Sequence, residues 1–167
     1  MSMAENGNDG GAPQAAAGQQ SISVVSQYVK DLSFESPGAP QSIRNRTASP
    51  AINIGVNVQP RRAENDEIEV ELRLEATAKD GETVLFAIEL VYAGLFRLIN
   101  IPQENVTPLT LVECPRLLFP FARQIIADAS RNGGFPPLLI DPIDFVQLYR
   151  QRMAQMAAAT QQPEGNA

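Results

Sequence analysis

Carboxylates are the side chains here best placed to move a proton. Asp66/Glu67 and Glu69/Glu71 are close pairs, and paired carboxylates alone can run glycoside hydrolysis. Glu69 and Glu71 lie two apart in an alternating run, so on a strand both point to one face, where a solvated rim is their commoner fate. Histidine is absent from the sequence. That removes Ser-His-Asp and Cys-His nucleophilic catalysis, His-ligated zinc and the usual general acid–base near neutral pH. The single cysteine, Cys114, can form neither a thiolate cluster nor an intrachain disulfide, and it reads as a small hydrophobe at a helix start. No Gly-rich loop ends in Lys-Ser or Lys-Thr, and no Gly-x-Gly-x-x-Gly turn is present. An enzyme is not expected, and neither is a metal or cofactor.

The chemistry that remains is recognition. With 13 Lys+Arg against 19 Asp+Glu, the net charge is −6. There is no basic block to displace counterions from phosphates, which argues against nucleic acid, and an anionic membrane surface is disfavoured for the same reason. An acidic surface instead favours encounters with basic partners. No run approaches the apolar length of a membrane span, so no direct membrane insertion is expected. The first Lys is Lys30 and no cationic stretch leads into an apolar one, so no secretory signal is expected. A cytoplasmic protein is expected.

The elements that would present such surfaces divide the chain in two. Residues 1–20 hold Gly, Ala, Asn and Gln with no large aliphatic beyond Met, and 157–167 are similar; both are expected to be disordered extensions of a folded unit at 21–156. In the first half, Ile22, Val24, Tyr28, Leu32 and Phe34 approach period two. Ile52, Ile54, Val56 and Val58 alternate with polar neighbours, and Pro60 is expected to end that strand. Ile68, Val70, Leu72 and Leu74 alternate with Glu67, Glu69, Glu71, Arg73 and Glu75. A tight turn at Lys79-Asp80-Gly81-Glu82 leads into Val84–Leu98, apolar on both faces; part of the second face is expected to be covered by another subunit or a ligand, the alternative being a central strand packed on both sides by its own chain.

The second half reads as helices. Thr107-Pro108 is expected to cap a short turn, and Cys114-Pro115 to open a helix to about Asn132 that Gly133-Gly134 stops. Asp141-Pro142 repeats the cap-then-proline arrangement, with Asp144 in the first turn. Phe145, Leu148, Tyr149 and Met156 form one apolar face. Strands followed by helices, without βαβ alternation, predict an α+β domain with an antiparallel sheet.

Three stretches together resemble the SecB family of export chaperones. Tyr28-Val29-Lys30-Asp31-Leu32-Ser33-Phe34-Glu35-Ser36-Pro37 resembles its first strand, and Cys114-Pro115-Arg116-Leu117-Leu118-Phe119-Pro120-Phe121-Ala122-Arg123 its helix signature. Gly133-Gly134-Phe135-Pro136-Pro137-Leu138 and Asp144-Phe145 follow in order. The resemblance spans roughly residues 28–150. It implies a four-stranded antiparallel sheet in Greek-key order with helices on one face, and a homotetramer built as a dimer of dimers. It also implies binding of unfolded precursor proteins without ATP, and their delivery to the motor SecA through the exposed sheet. The loop after the first strand departs from the family in having no tryptophan.

The resemblance places Asp31, Glu35 and Glu89 on positions facing SecA; Asp31 and Glu35 share a strand face by their spacing, and Glu89 interrupts an apolar strand where a buried charge would be costly. A client groove needs adaptable apolar surface and pairable backbone. Its candidates are Phe34, Ile52, Ile54, Val56, Phe121, Phe145 and Tyr149, each of which could equally be core. The rival reading is a structural or assembly module of the same fold without client binding.

Overall fold

Four antiparallel strands form one sheet in the computed structural model, which describes residues 18–44 and 49–161. The terminal extensions, apart from residues 18–20 and 157–161, lie outside the described residues. Strands β1 (Ser21–Glu35), β2 (Ala51–Arg62), β3 (Glu67–Asp80) and β4 (Thr83–Ile99) are ordered β1-β4-β3-β2. Hairpins join β2 to β3 and β3 to β4, while β1 lies beside β4, so the order is a Greek key. The long β1–β2 connection carries helix α1 (Gln41–Arg44). At the β3–β4 hairpin Asp80 pairs with Thr83, and Gly81 takes a φ of 58°.

Pairing fixes which side chains share a face. Val70, Leu72, Leu74, Ala76 and Ala78 on β3 lie across from Gly94, Tyr92, Leu90, Ile88 and Phe86 on β4, and together they make the floor of the core. The intervening Glu69, Glu71, Arg73 and Glu75 face outward. On β1, register shifts leave Val25 and Lys30 unpaired. Each bulge flips the alternation by one residue. Ile22, Val24, Val29, Leu32 and Phe34 consequently face the helices, whereas Tyr28 faces outward, contrary to the simple period-two reading.

Pro60 does not end β2. It pairs with Val70, and the ladder continues to Arg62↔Ile68. An edge strand tolerates proline because one side of its backbone has no strand to bond.

The helices cover one face of the sheet. Helix α2 (Gln103–Pro108), a π-helical turn (Leu109–Glu113) and helix α3 (Cys114–Asn132) run without a break. Thr107-Pro108 is therefore interior, and Pro102 precedes the first turn. The widened turn sits directly ahead of Pro115, which has no N–H for the Leu111 carbonyl and whose ring would collide with it. Leu118, Ala122 and Ile126 of α3 are buried over the sheet.

At the end of α3, Gly134 N–H donates to Arg131 O and Phe135 N–H to Ser130 O. This is a Schellman closure, with Gly134 at φ 87°. The buried Ser130 hydroxyl accepts from Leu138 N–H at 2.8 Å, tying the following segment to the helix. Helix α4 (Phe145–Thr160) is capped by Asp144, not Asp141: its carboxylate accepts from Gln147 N–H at 2.9 Å. The helix runs past Met156, which is exposed.

Candidate functional site

The outer face of the sheet gathers carboxylates from two adjacent strands. Asp31 pairs with Val91, Ser33 with Glu89 and Glu35 with Ala87. Glu89 therefore stands across from Ser33, between Asp31 and Glu35, and all three are exposed. Glu75 on β3 lies directly opposite Glu89, a like-charge cross-strand pair that costs stability. Its sequence run marked Glu75 as outward, but only the register puts it beside Glu89. Among the described residues, the one cation within 4.0 Å of this group is Arg73, beside Glu89.

Farther along the same face the charges neutralise one another. Arg97 bridges Glu67 at 2.5 Å, and Lys30 Nζ lies 2.6 Å from Glu71 and 3.1 Å from Glu69. Arg61 approaches Glu71 at 3.5 Å. The Tyr28 hydroxyl donates to Glu69 at 2.6 Å. Burial first, then that bond, push the Tyr28 phenol up to about 12, while the same bond holds Glu69 below its ordinary value. Lys30 is raised by its bonds to Glu71 and Glu69.

This network answers the question of the second apolar face of β4. Ala93 lies between Tyr28 on β1 and Glu71 on β3, so the long side chains meeting above it come from its own chain. Leu85, Val91 and Ala93 are buried without a second subunit, and the expected outside cover is not required at these residues.

The apolar candidates do not converge on one groove. Ile52, Ile54 and Val56 lie on the helix side of β2, in register with Ala78, Ala76 and Leu74. Val56 and Tyr149 share a cavity of about 420 Å³ with Val58, Leu111, Leu148 and Arg152. Tyr149 also borders a second cavity of about 740 Å³ lined by Ile22, Ile101, Leu109, Val112 and Val146. Phe34 sits elsewhere, half-buried, with its ring 5.9 Å from Phe86 and 6.5 Å from Phe135.

Phe145 is a core residue, 2% exposed and edge-on to Phe119, so it offers a client nothing in this conformation. Phe121 is 53% exposed and stacks on Tyr92, whose β1 partner is Val29. Val24, Val29 and Leu32 on the β1 edge, with Leu117 of α3, are also exposed. Two β-bulges, invisible to a period-two reading, put these three β1 residues on one face.

Cys114 is fully buried, and burial pushes its thiol up to about 12. Among the described residues no group of three or more His, Cys, Asp or Glu could hold a metal ion, and no helix is long and apolar enough to cross a membrane.

These features match proteins already known. Residues 15–156 match the family model described as preprotein translocase subunit SecB. A protein-export protein SecB from Rhodopseudomonas palustris is 56% identical over 152 residues, covering 91% of this chain and 95% of its own. One from Bradyrhizobium is 54% identical over 154 residues, 92% of this chain and 94% of its own. Among solved structures, a SecB-like chaperone of Mycobacterium tuberculosis, in complex with a peptide from an antitoxin, aligns with a TM-score of 0.56 at 15% identity. That alignment covers 74% of this chain and 91% of the other, and it supports the fold. With the Greek-key sheet, the acidic outer face and the helix-covered inner face in place, the chain belongs to the SecB family of protein-export proteins.

Proposed function

We propose that this protein is a cytoplasmic, ATP-independent chaperone that binds unfolded precursor proteins and delivers them to SecA. Family membership over most of the chain carries the reading. Ile52, Ile54 and Val56, exposed to half-buried along the open edge strand β2, supply the adaptable surface such binding needs. Asp31, Glu35 and Glu89 are the SecA contact. Their charges are left largely unneutralised while the rest of the outer face is internally paired, so a basic partner surface is drawn to that end. Ile52, Ile54, Val56 and Tyr149, with Phe34 in a separate patch, are the client contacts, and Phe121 belongs instead to the β1–α3 strip.

The working form is a homotetramer, a dimer of dimers. Val24, Val29 and Leu32 on an unpaired sheet edge, with Leu117 and Phe121 beside them, form an apolar strip that a second copy would cover.

Light scattering on the protein alone, then with a precursor diluted from denaturant, tests this. A tetramer that takes up the unfolded chain and ignores its folded form is the expected result. Indifference to both forms would leave a structural module of the same fold.

A further inference from the structure

The unpaired edge of β2 carries a guard. Pro60 is in register with Val70, with no bulge between β2 and β3. Proline has no N–H, so the ladder bonds around this pair come from Gln59 and Arg61, and the Pro60 carbonyl points away from β3. Antiparallel alternation extends that orientation along the strand: Ile52, Ile54, Val56 and Val58 turn their backbone N–H and C=O to the outer edge. Among the described residues no strand lies beyond them. Among the described residues one of these outward groups has a partner: the Val58 carbonyl, which accepts from Arg152 Nη1 of α4 at 2.7 Å.

The side chains of the same residues face the helices, and Val56 and Val58 border the cavity that Tyr149 and Arg152 close. A row of open backbone donors and acceptors beside a recess with Val56, Leu111 and Leu148 on its wall is the geometry for adding an extended strand. The row stops where the guanidinium sits.

We propose that Arg152 limits how far an extended client segment pairs along β2, competing with the client for the Val58 carbonyl and favouring release. This rests on the client-binding reading above. A client amide must replace a charge-assisted donor, which is roughly twice as strong as a neutral one. Pairing therefore extends over Ile52–Val56 and halts at Val58.

The test compares Arg152→Ala with wild type in the full chain, using an unfolded client of zero net charge. The readouts are affinity and amide exchange along β2. Alanine keeps the exposed helix intact, which far-ultraviolet dichroism verifies. Arg150→Ala removes the same charge from the same helix without touching the edge. The expected result is about tenfold tighter binding by Arg152→Ala, protection of the Val58 amide in that complex alone, and no change for Arg150→Ala. Equal affinity of wild type and Arg152→Ala, or a Val58 amide already protected in the wild-type complex, overturns the guard and leaves client binding standing. Binding by neither protein overturns both.

Discussion

Tyr28 and Lys30 hold together two strands that never pair, reaching across β4 to Glu69 and Glu71. Because the phenol is raised from 10.0 to about 12, it is the protonated form that the fold favours. Its contribution is complete below pH 10 and is lost as the pH rises through about 12; Lys30, also raised, adds to the same alkaline loss. Glu69 is lowered, so its contribution holds above its ordinary 4.5 and fades as the pH falls through the depressed value. Tyr28→Phe should flatten the alkaline limb of a denaturation-against-pH curve and leave stability near neutrality within about 1 kcal/mol; an unaltered limb would refute the assignment. At the opposite end of this face, Asp31→Ala and Glu89→Ala should each weaken SecA binding roughly fivefold at low salt, with the difference shrinking as salt screens it. Titration calorimetry at two ionic strengths checks both, and unchanged melting separates lost contact from lost fold. Cys114 should resist thiol reagents at pH 8 and react only on unfolding.

The elements show what a local pattern reveals and where tertiary context takes over. Alternation in β2 and β3 was legible because each has a more exposed side and a dry side, whereas β4 showed itself as a central strand by being apolar on both, and Gly133-Gly134 marked the end of α3. The bulges at Val25 and Lys30 were not legible, since neither site carries glycine or turn chemistry; only pairing with β4 reveals the slip, and it reverses Tyr28. Pro60 read as a terminator because its position on the sheet edge is a long-range fact. The π turn escaped notice because Thr107-Pro108 resembles a start signal, whereas three prolines at 108, 115 and 120 are absorbed within one continuous helical run. Asp144 replaced Asp141 as cap because the chain between them is not helical. Asp144→Ala should cost about 1 kcal/mol of stability, measured by denaturant midpoint; a loss near zero would mean that the packing of Phe145, Val146, Leu148, Tyr149 and Met153 holds the helix without its cap.

Over the whole molecule, the two faces of the sheet are divided between charge and apolar contact. That Asp31 and Glu35 share an outer face was readable from their spacing of four on one strand, while the register alone sets Glu89 between them. The client residues were not readable, because spacing cannot tell an aromatic in the core from one on a rim: Phe145 is sealed under Phe119, while Phe121 faces outward from the same helical layer. If the β1–α3 strip joins subunits, Phe121→Asp should drive the assembly to smaller species at micromolar concentration while each chain stays folded. Sedimentation velocity would detect it, and a tetramer of unchanged mass would remove Phe121 from the interface.

The strand order has a consequence for how this protein is made. β2, β3 and β4 can zip together as neighbours in sequence, but β1, which leaves the ribosome before them, pairs among the described residues with β4 alone. Until synthesis has passed Ile99, Val24, Val29 and Leu32 have no sheet to join. During that interval the nascent chain displays the kind of extended apolar segment that it will later hold in others.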